Sequence, residues 1–409
     1  MTSTTSQLNY PNSTACIYDI SNQIHQDNTT VIVADDIRQA RLYKAQLLSL
    51  HPNYQARLLI LPDWETLAYD PIATDKAIIS ERLQTLYQLQ TLPNAILIIP
   101  LQALLTYVVP QDFIQKNSLL LRVGDQMTPA AFREIMLAKG YVETKEISQV
   151  GDFALRGAIL DIYAYKNKQA YRCELFDTEI DSIRQLDVAT QLSSKAIEYI
   201  NLLPSQEYLF NKDTKTLLSE KLIEYFNGTK ITHPPLVNLQ TLRSFAGIEY
   251  YLPLLHHTMQ PLWQYLEPKQ TQWYLPSSWK AMTERKTQQS QARYELQTQK
   301  GYQLLSPDKL FTTAEQLNNF IQTQRHQLIH INQANTQLIS LPDVKIIPHA
   351  EHATAQLEQL LNQYNKVIIY AKDKIRLNNI QHTLTAHNLD LSKYSCELAL
   401  GYLEHGFID

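Results

Sequence analysis

The sequence predicts an α/β protein built on a parallel sheet, with a small α+β unit in its middle and a partial second α/β unit at its end. Three observations carry that assignment. Up to residue 100, short β-branched runs alternate with amphipathic helical patterns, the grammar of parallel strands joined through helices. Between residues 141 and 203, strand patterns follow one another too closely for helices to intervene. From about Val344 the order of strand, turn and helix returns. At 409 residues the chain exceeds one ordinary core, and 44% hydrophobic with 19% charged residues place it in the globular range.

The opening MTSTTSQLNYPN reads as a loose tail. Residues 30–34 (TVIVA) read as a buried strand, followed by Asp35 or Asp36 as the cap of a helix with Ile37, Ala40, Tyr43 and Leu47 at helical spacing. Residues 58–61 (LLIL) form the next strand, then come LPDWETLAYDP, a helix over 75–90 and a third strand over 95–99. A helix over 129–138 opens the α+β unit, with strands expected over 141–147, 155–163, 171–176, 179–186 and 197–203. After Pro204 the pattern is mostly helical, including a Gln-rich helix around 278–299 whose interspersed Arg and Glu suit a solvated face. KVIIYAKDKIRLNNIQHTL (366–384) then repeats the logic of residues 30–47: apolar strand, Asp at the turn, amphipathic helix. The chain ends at GYLEHGFID with no closing element after Gly406, so a truncated last unit is expected.

Composition narrows the function classes. A formal net charge of -4 gives no global field to attract a polyanion. Cys16, Cys173 and Cys396 lie far apart without a CxxC pair, which points to a reducing compartment rather than a disulfide or zinc framework. No basic segment followed by an apolar one opens the chain, and AILIIPLQALLTYVVP falls short of the roughly 20 residues a membrane span needs. A cytoplasmic protein without membrane contact is expected.

Catalytic motifs are missing. The turn after residue 34 is where a phosphate loop GxxxxGK[ST] would stand, yet the first of nine glycines is Gly124. There is no acidic DExx box for magnesium and no GxSxG elbow. His326 with His330, His349 with His352, and adjacent His256 and His257 read as surface or hydrogen-bonded side chains, since none has the HExxH glutamate. In YRCELFDTEID, strand periodicity puts Tyr171, Cys173 and Leu175 on one face and Arg172, Glu174 and Phe176 on the other. An exposed Phe beside an Arg has the composition of a protein-interface hot spot. The competing reading, a Phe covered by a helix and a solvated Arg, stays open on these residues alone.

LPDWETLAYDPIATDKAIISERLQTLYQL resembles the signature of the N-terminal region of bacterial transcription-repair coupling factors, which are similar to excinuclease B. LRGAILDIYAY, YRCELFDTEIDSIRQLD, YINLLPSQEY, FAGIEYYLPLL and GYLEHGFID agree with it in order, leaving Lys269 to Val344 the weakest stretch. The resemblance implies a degenerate excinuclease B-like nucleotide-binding domain in two halves, residues 1–125 and 205–343. It further implies an inserted α+β domain over 126–204 that binds excinuclease A, and a truncated α/β domain over 344–409. The family recognises RNA polymerase stalled at DNA lesions, releases it by ATP-driven translocation and recruits excision repair. In this chain the resemblance implies the recruiting, non-enzymatic part: ATP, magnesium, RNA polymerase and duplex DNA would be engaged only by domains outside it.

The same resemblance carries the partner-binding role to Arg156 in the RGA segment and to Arg172 and Phe176 of the YR strand, with Arg184 as a companion. A C-terminal regulatory domain would cover this surface in the full-length protein. Two departures from excinuclease B matter. Without glycines this copy should not bind ATP, and QALLTYVVPQDF leaves no room for the aromatic hairpin that clamps damaged DNA. The alternative function is a nucleotide-dependent helicase or damage-binding protein acting through this chain itself, and a third reading is a purely structural domain. In LPDWETLAYDP, Asp63, Glu65 and Asp70 are then expected as caps and turn residues, and Trp64 and Tyr69 as anchors pinning the loop to the sheet.

Overall fold

In the computed structural model, which describes residues 6–164, 169–227, 229–266, 271–333, 338–341 and 354–409, residues 6–10 of the segment expected as a loose tail form a strand. Strands β1 (Ser6–Tyr10), β2 (Thr29–Ala34), β3 (Leu58–Ile60) and β4 (Ile96–Pro100) alternate with helices α1 (Ser13–Gln23), α2 (Ile37–Leu50) and α3 (Lys76–Thr91). Each helix starts at a side-chain cap: Asn12 accepts from the Ala15 amide, Asp36 from Gln39 and Asp75 from Ala77. Such caps satisfy amides that the helix itself leaves unpaired. The segment after β4 forms two short helices, α4 (Leu101–Leu105) and α5 (Gln111–Asn117), with no inserted hairpin between them.

The middle unit runs through β5 (Leu119–Arg122), α6 (Pro129–Ala138), β6 (Val142–Glu143), β7 (Asp152–Arg156), β8 (Ile159–Ala164), β9 (Gln169–Phe176), β10 (Glu179–Leu186), β11 (Ser193–Ile197) and β12 (Tyr199–Leu202). The chain then returns through α7 (Lys212–Phe226), α8 (Pro234–Gln240), β13 (Thr271–Pro276), α9 (Trp279–Gln299), α10 (Ala314–Thr323) and β14 (Arg325–Ile331). The last elements are β15 (Ile339–Ser340), α11 (Ala355–Gln363), β16 (Val367–Ala371), α12 (Lys374–Ala386), β17 (Cys396–Leu400) and β18 (Phe407–Ile408). Asp373 caps α12 through the Arg376 amide, as Asp36 caps α2, so the repeated strand, Asp and helix logic is structural in both places.

The main sheet has six strands in the order β1-β14-β13-β2-β4-β3, every pair parallel. β2 is buried along its whole length because helices cover both faces. Val31, Val33, Leu97, Ile99 and Trp273 point into one core, while Ile32, Ala34, Ile96, Ile98 and Tyr274 point into the other with α1 and α2. The mostly helical pattern expected after Pro204 therefore concealed two strands of this sheet. Polar Gln272, His326 and Gln327 interrupt β13 and β14, which hides their β character.

The second sheet has the order β11-β10-β9-β8-β7-β6, antiparallel except for β6 with β7. Three expectations change here. The single strand over 155–163 is a hairpin, broken at Gly157, whose φ of +62° permits a two-residue turn. Only Val142–Glu143 of 141–147 is strand, and 197–203 is divided between β11 and β12, the latter pairing with β5.

Candidate protein-interaction face

The second sheet has two unlike faces. Phe153, Leu160, Ile162, Cys173, Leu175, Ile180 and Ile183 pack with Phe132 and Met136 of α6 into a closed core. Burial in that core pushes the Cys173 thiol up to about 12, which leaves it protonated and inert. Part of the opposite face is covered by a small cluster of Ile147, Ala154, Ala170 and Leu186. The remaining part is polar, and all four expected site residues stand on it.

Strand register sets their geometry. Across the sheet, Ala154 pairs with Asp161, Asp161 with Arg172, Arg172 with Arg184, and Arg184 with Ala196. One residue pair nearer the turns, Arg156 pairs with Ile159 and Ile159 with Glu174. The β7–β8 and β9–β10 turns lie at the same end of the sheet, as the Leu175 amide donating to Ala158 O at 2.8 Å requires. Arg156 closes the first turn and Phe176 closes the second, opposite Glu179.

Asp161 is the centre of this array. Its carboxylate is fully buried; Oδ1 accepts from Arg172 Nε at 2.7 Å, and Oδ2 from Arg172 Nη2 at 2.9 Å and from an Arg156 guanidinium N–H. The two-pronged contact raises the Arg172 guanidinium above its ordinary value, so it stays charged. A third Arg172 N–H reaches Gln191 O at 3.4 Å, leaving the side chain 14% exposed against 40% for Arg156. Arg184 is exposed beside Arg172 and is in none of the ion pairs found among the described residues. Glu174 accepts from Ser182 Oγ at 3.0 Å. Phe176 stands at the rim, 78% exposed, so no helix covers it.

The structure thus joins Arg156 and Arg172 through one carboxylate, sets Arg184 next to Arg172 and leaves Phe176 free at the edge. Asp161 is the residue that sequence reasoning missed. Its signal is an Asp set between two core residues of a strand, ILDIY, but reading it required the turn at Gly157.

A second locus is the carboxyl end of β2, where a phosphate would sit in a nucleotide-binding relative of this fold. Only Asp35 and Asp36 separate β2 from α2, and the Asp36 carboxylate occupies the helix N-terminus by accepting from the Gln39 amide at 2.9 Å. That bond holds the Asp36 carboxyl below its usual range, while burial and Asp36 together raise Asp35. This end of the helix presents carboxylates to an incoming anion.

Trp64 and Tyr69 are buried in the core that lies on the main sheet, as expected of anchors, and LPDWETLAYDP also joins early and late segments. Trp64 Nε1 donates to Glu207 Oε2 at 2.9 Å, and Arg82 Nε to Glu207 Oε1 at 3.0 Å, with Arg82 fully buried beneath the Trp64 ring. Tyr69 donates to Leu305 O at 2.9 Å, Tyr250 to Leu67 O at 2.8 Å, and Arg293 pairs with Asp70. Glu65 and Tyr69 adopt positive φ of 53° and 63°, so Glu65 is a turn residue as expected.

His326 and His330 lie on β14, not on a helix; His256 is buried with Nε2 2.7 Å from Glu207 O; His349 and His352 lie outside the described residues. No group of three metal-ligating side chains occurs among the described residues, and no described helix is long and apolar enough to cross a membrane.

Residues 119–208, which hold the whole polar array, match the family model of the UvrB interaction domain. The chain is 29% identical to the transcription-repair-coupling factor of Haemophilus influenzae over 96% of its own length, and 28% identical to that of Escherichia coli over 93%. It is 34% identical to the Staphylococcus aureus protein of the same name over 37% of its length. The chain spans about a third of the length of the first two relatives, 35% and 34%.

Proposed function

From the premise that this chain corresponds to the N-terminal region of a transcription-repair-coupling factor, we propose that it is the recruiting module, which binds excinuclease A and performs no catalysis itself. Recognition of stalled RNA polymerase, its ATP-dependent release and contact with duplex DNA then fall to segments beyond those present here. A C-terminal regulatory domain, also beyond them, covers the recruiting face until polymerase is engaged. The site of action is the cytoplasm.

The observation that carries this reading is the outer face of the second sheet. Phe176 offers an uncovered ring at the rim, and Arg156 and Arg184 offer unspent guanidinium donors on the same face of the sheet. An aromatic residue with arginines is the composition that dominates binding energy at protein interfaces. The complementary surface is an apolar pocket flanked by carboxylates.

The alternative of a helicase or damage-binding protein lacks physical support in this chain. Two acids fill the turn where glycines would have to admit a phosphate, and the segment after β4 folds as short helices where a DNA-clamping hairpin would insert. No nucleotide cofactor is expected here.

A calorimetric titration of the chain with excinuclease A, run beside titrations with ATP and with duplex DNA, tests the reading. Binding to the protein alone is the expected result, weakened by Arg184→Ala with a loss of salt sensitivity. Saturable ATP binding, or DNA binding with a steep salt slope, together with silence toward excinuclease A, would overturn it.

A further inference from the structure

The buried carboxylate at the centre of the array has no access to a partner, yet three of the guanidinium contacts on this face end on it. Asp161 is fully buried, and both its oxygens are taken up by Arg172 and Arg156. A buried, isolated carboxylate would be strongly disfavoured, so Asp161 is tolerated only in company with these two cations. It also offsets the repulsion between like charges in register, since Arg172 and Arg184 are directly opposed across β9 and β10.

The two arginines stand in different relations to the solvent. Arg172 spends Nε and Nη2 on Asp161 and Nη1 on Gln191 O, which leaves two of the five N–H donors of a guanidinium. At 14% exposed it acts as a strut. Arg156 is 40% exposed and spends a single N–H on Asp161, so most of its donors remain open. Its place at a hairpin end gives it no neighbour in register except Ile159.

We propose that Asp161 is the positioning residue of this face: fixed by Arg172 from within the sheet, it holds Arg156 in the one orientation that presents its remaining donors on the face that carries Phe176. This rests on the reading of the face as the site for excinuclease A. Within that reading it divides five residues by role. Phe176, Arg156 and Arg184 touch the partner, while Arg172 and Asp161 act through Arg156.

The test measures affinity for excinuclease A with Asp161→Asn and Arg172→Lys, each alone and each combined with Arg156→Ala. Asn keeps the shape of the carboxylate without its charge, and Lys keeps a charge but cannot hold both oxygens. Either single variant should weaken binding about tenfold, the worth of one charge-assisted contact. In the Arg156→Ala background the same substitutions should cost less than about twofold, because the group they orient is gone. A purely structural role would lower affinity equally in both backgrounds.

The inference is overturned if Asp161→Asn binds as tightly as the native chain, or if its loss persists undiminished when Arg156 is already Ala. Should Asp161→Asn unfold the middle unit, Arg172→Lys decides by the same two criteria. A Phe176→Ala chain that loses binding while both positioning variants keep it leaves the functional reading standing and removes this inference alone. A native chain that binds nothing removes both.

Discussion

The two six-stranded sheets of this chain relate to their surroundings in opposite ways. The parallel sheet is covered on both faces, and its carboxyl end, the usual ligand locus, is closed by Asp35 and Asp36. The antiparallel sheet buries one face under α6 and keeps part of the other open as an ordered polar array. Under the proposed function the first serves as a scaffold, and recognition lies on a strand face rather than at strand ends. What a parallel fold offers at its strand ends depends on the turn chemistry there, and here two acids stand where a phosphate loop would need glycines.

The contrast can be broken most forcefully at the joint between the two halves of the scaffold. Arg82→Met or Glu207→Gln removes one partner of a fully buried pair and should cost about 3–5 kcal/mol in urea unfolding. A cost below about 1 kcal/mol, the range of exposed pairs, would mean that Trp64 and the surrounding apolar core hold the joint unaided.

Next in size is Phe176→Ala, expected to weaken the complex with excinuclease A by about 2 kcal/mol or more. Because the ring is 78% exposed, the same variant should unfold within about 0.5 kcal/mol of the native chain. A large change in stability would place the ring in a core instead of on a recognition face.

Asp36→Ala probes the scaffold's closed end. Loss of the cap should lower stability by about 1 kcal/mol, and fluorescent ATP should remain unbound, since no glycine is gained. Appearance of nucleotide binding on removal of this one carboxylate would show that the fold is merely plugged and still competent.

The smallest effect concerns Glu249, buried at 8% exposure beside a cavity of about 160 Å³ where Gly140 of the middle unit meets residues of the scaffold. Burial, aided by the Glu207 charge, raises its carboxyl above the ordinary value. A raised acid favours the fold when protonated, so that contribution is full below its unfolded pKa of about 4.3 and is lost as pH rises through the folded value. Glu249→Gln should therefore be near neutral at about pH 4 and raise the melting temperature by about 2 °C at pH 8. An equal shift at both pH values would show that the carboxyl does not titrate with unfolding.

Much of the architecture was legible in residues. β2, α2, α3 and β4 announce themselves by periodicity, and the exposed side of β9 followed from alternation alone, which put Arg172 and Phe176 on one face. Two things were not legible. β13 and β14 lie in the interior of the main sheet but carry Gln272, His326 and Gln327, so local composition argues against strands that tertiary contact imposes. Asp161 was hidden because its partners come from neighbouring strands, and inter-strand register is not written in any one of them. With the turn at Gly157 unread, the facing of residues 155–163 was ambiguous.

The order of strands carries a consequence for the chain as it is being made. β2 finds its neighbour β13 only after residue 271 has been synthesised, and β1 waits for β14. At about 5–20 residues per second, on the order of 10 to 50 s pass while one side of β2 stays unpaired. The middle unit, whose strands all lie between residues 119 and 202, meets no such delay. The polar face should thus be complete on the ribosome while its scaffold is still half a sheet, an open edge that exists only during birth.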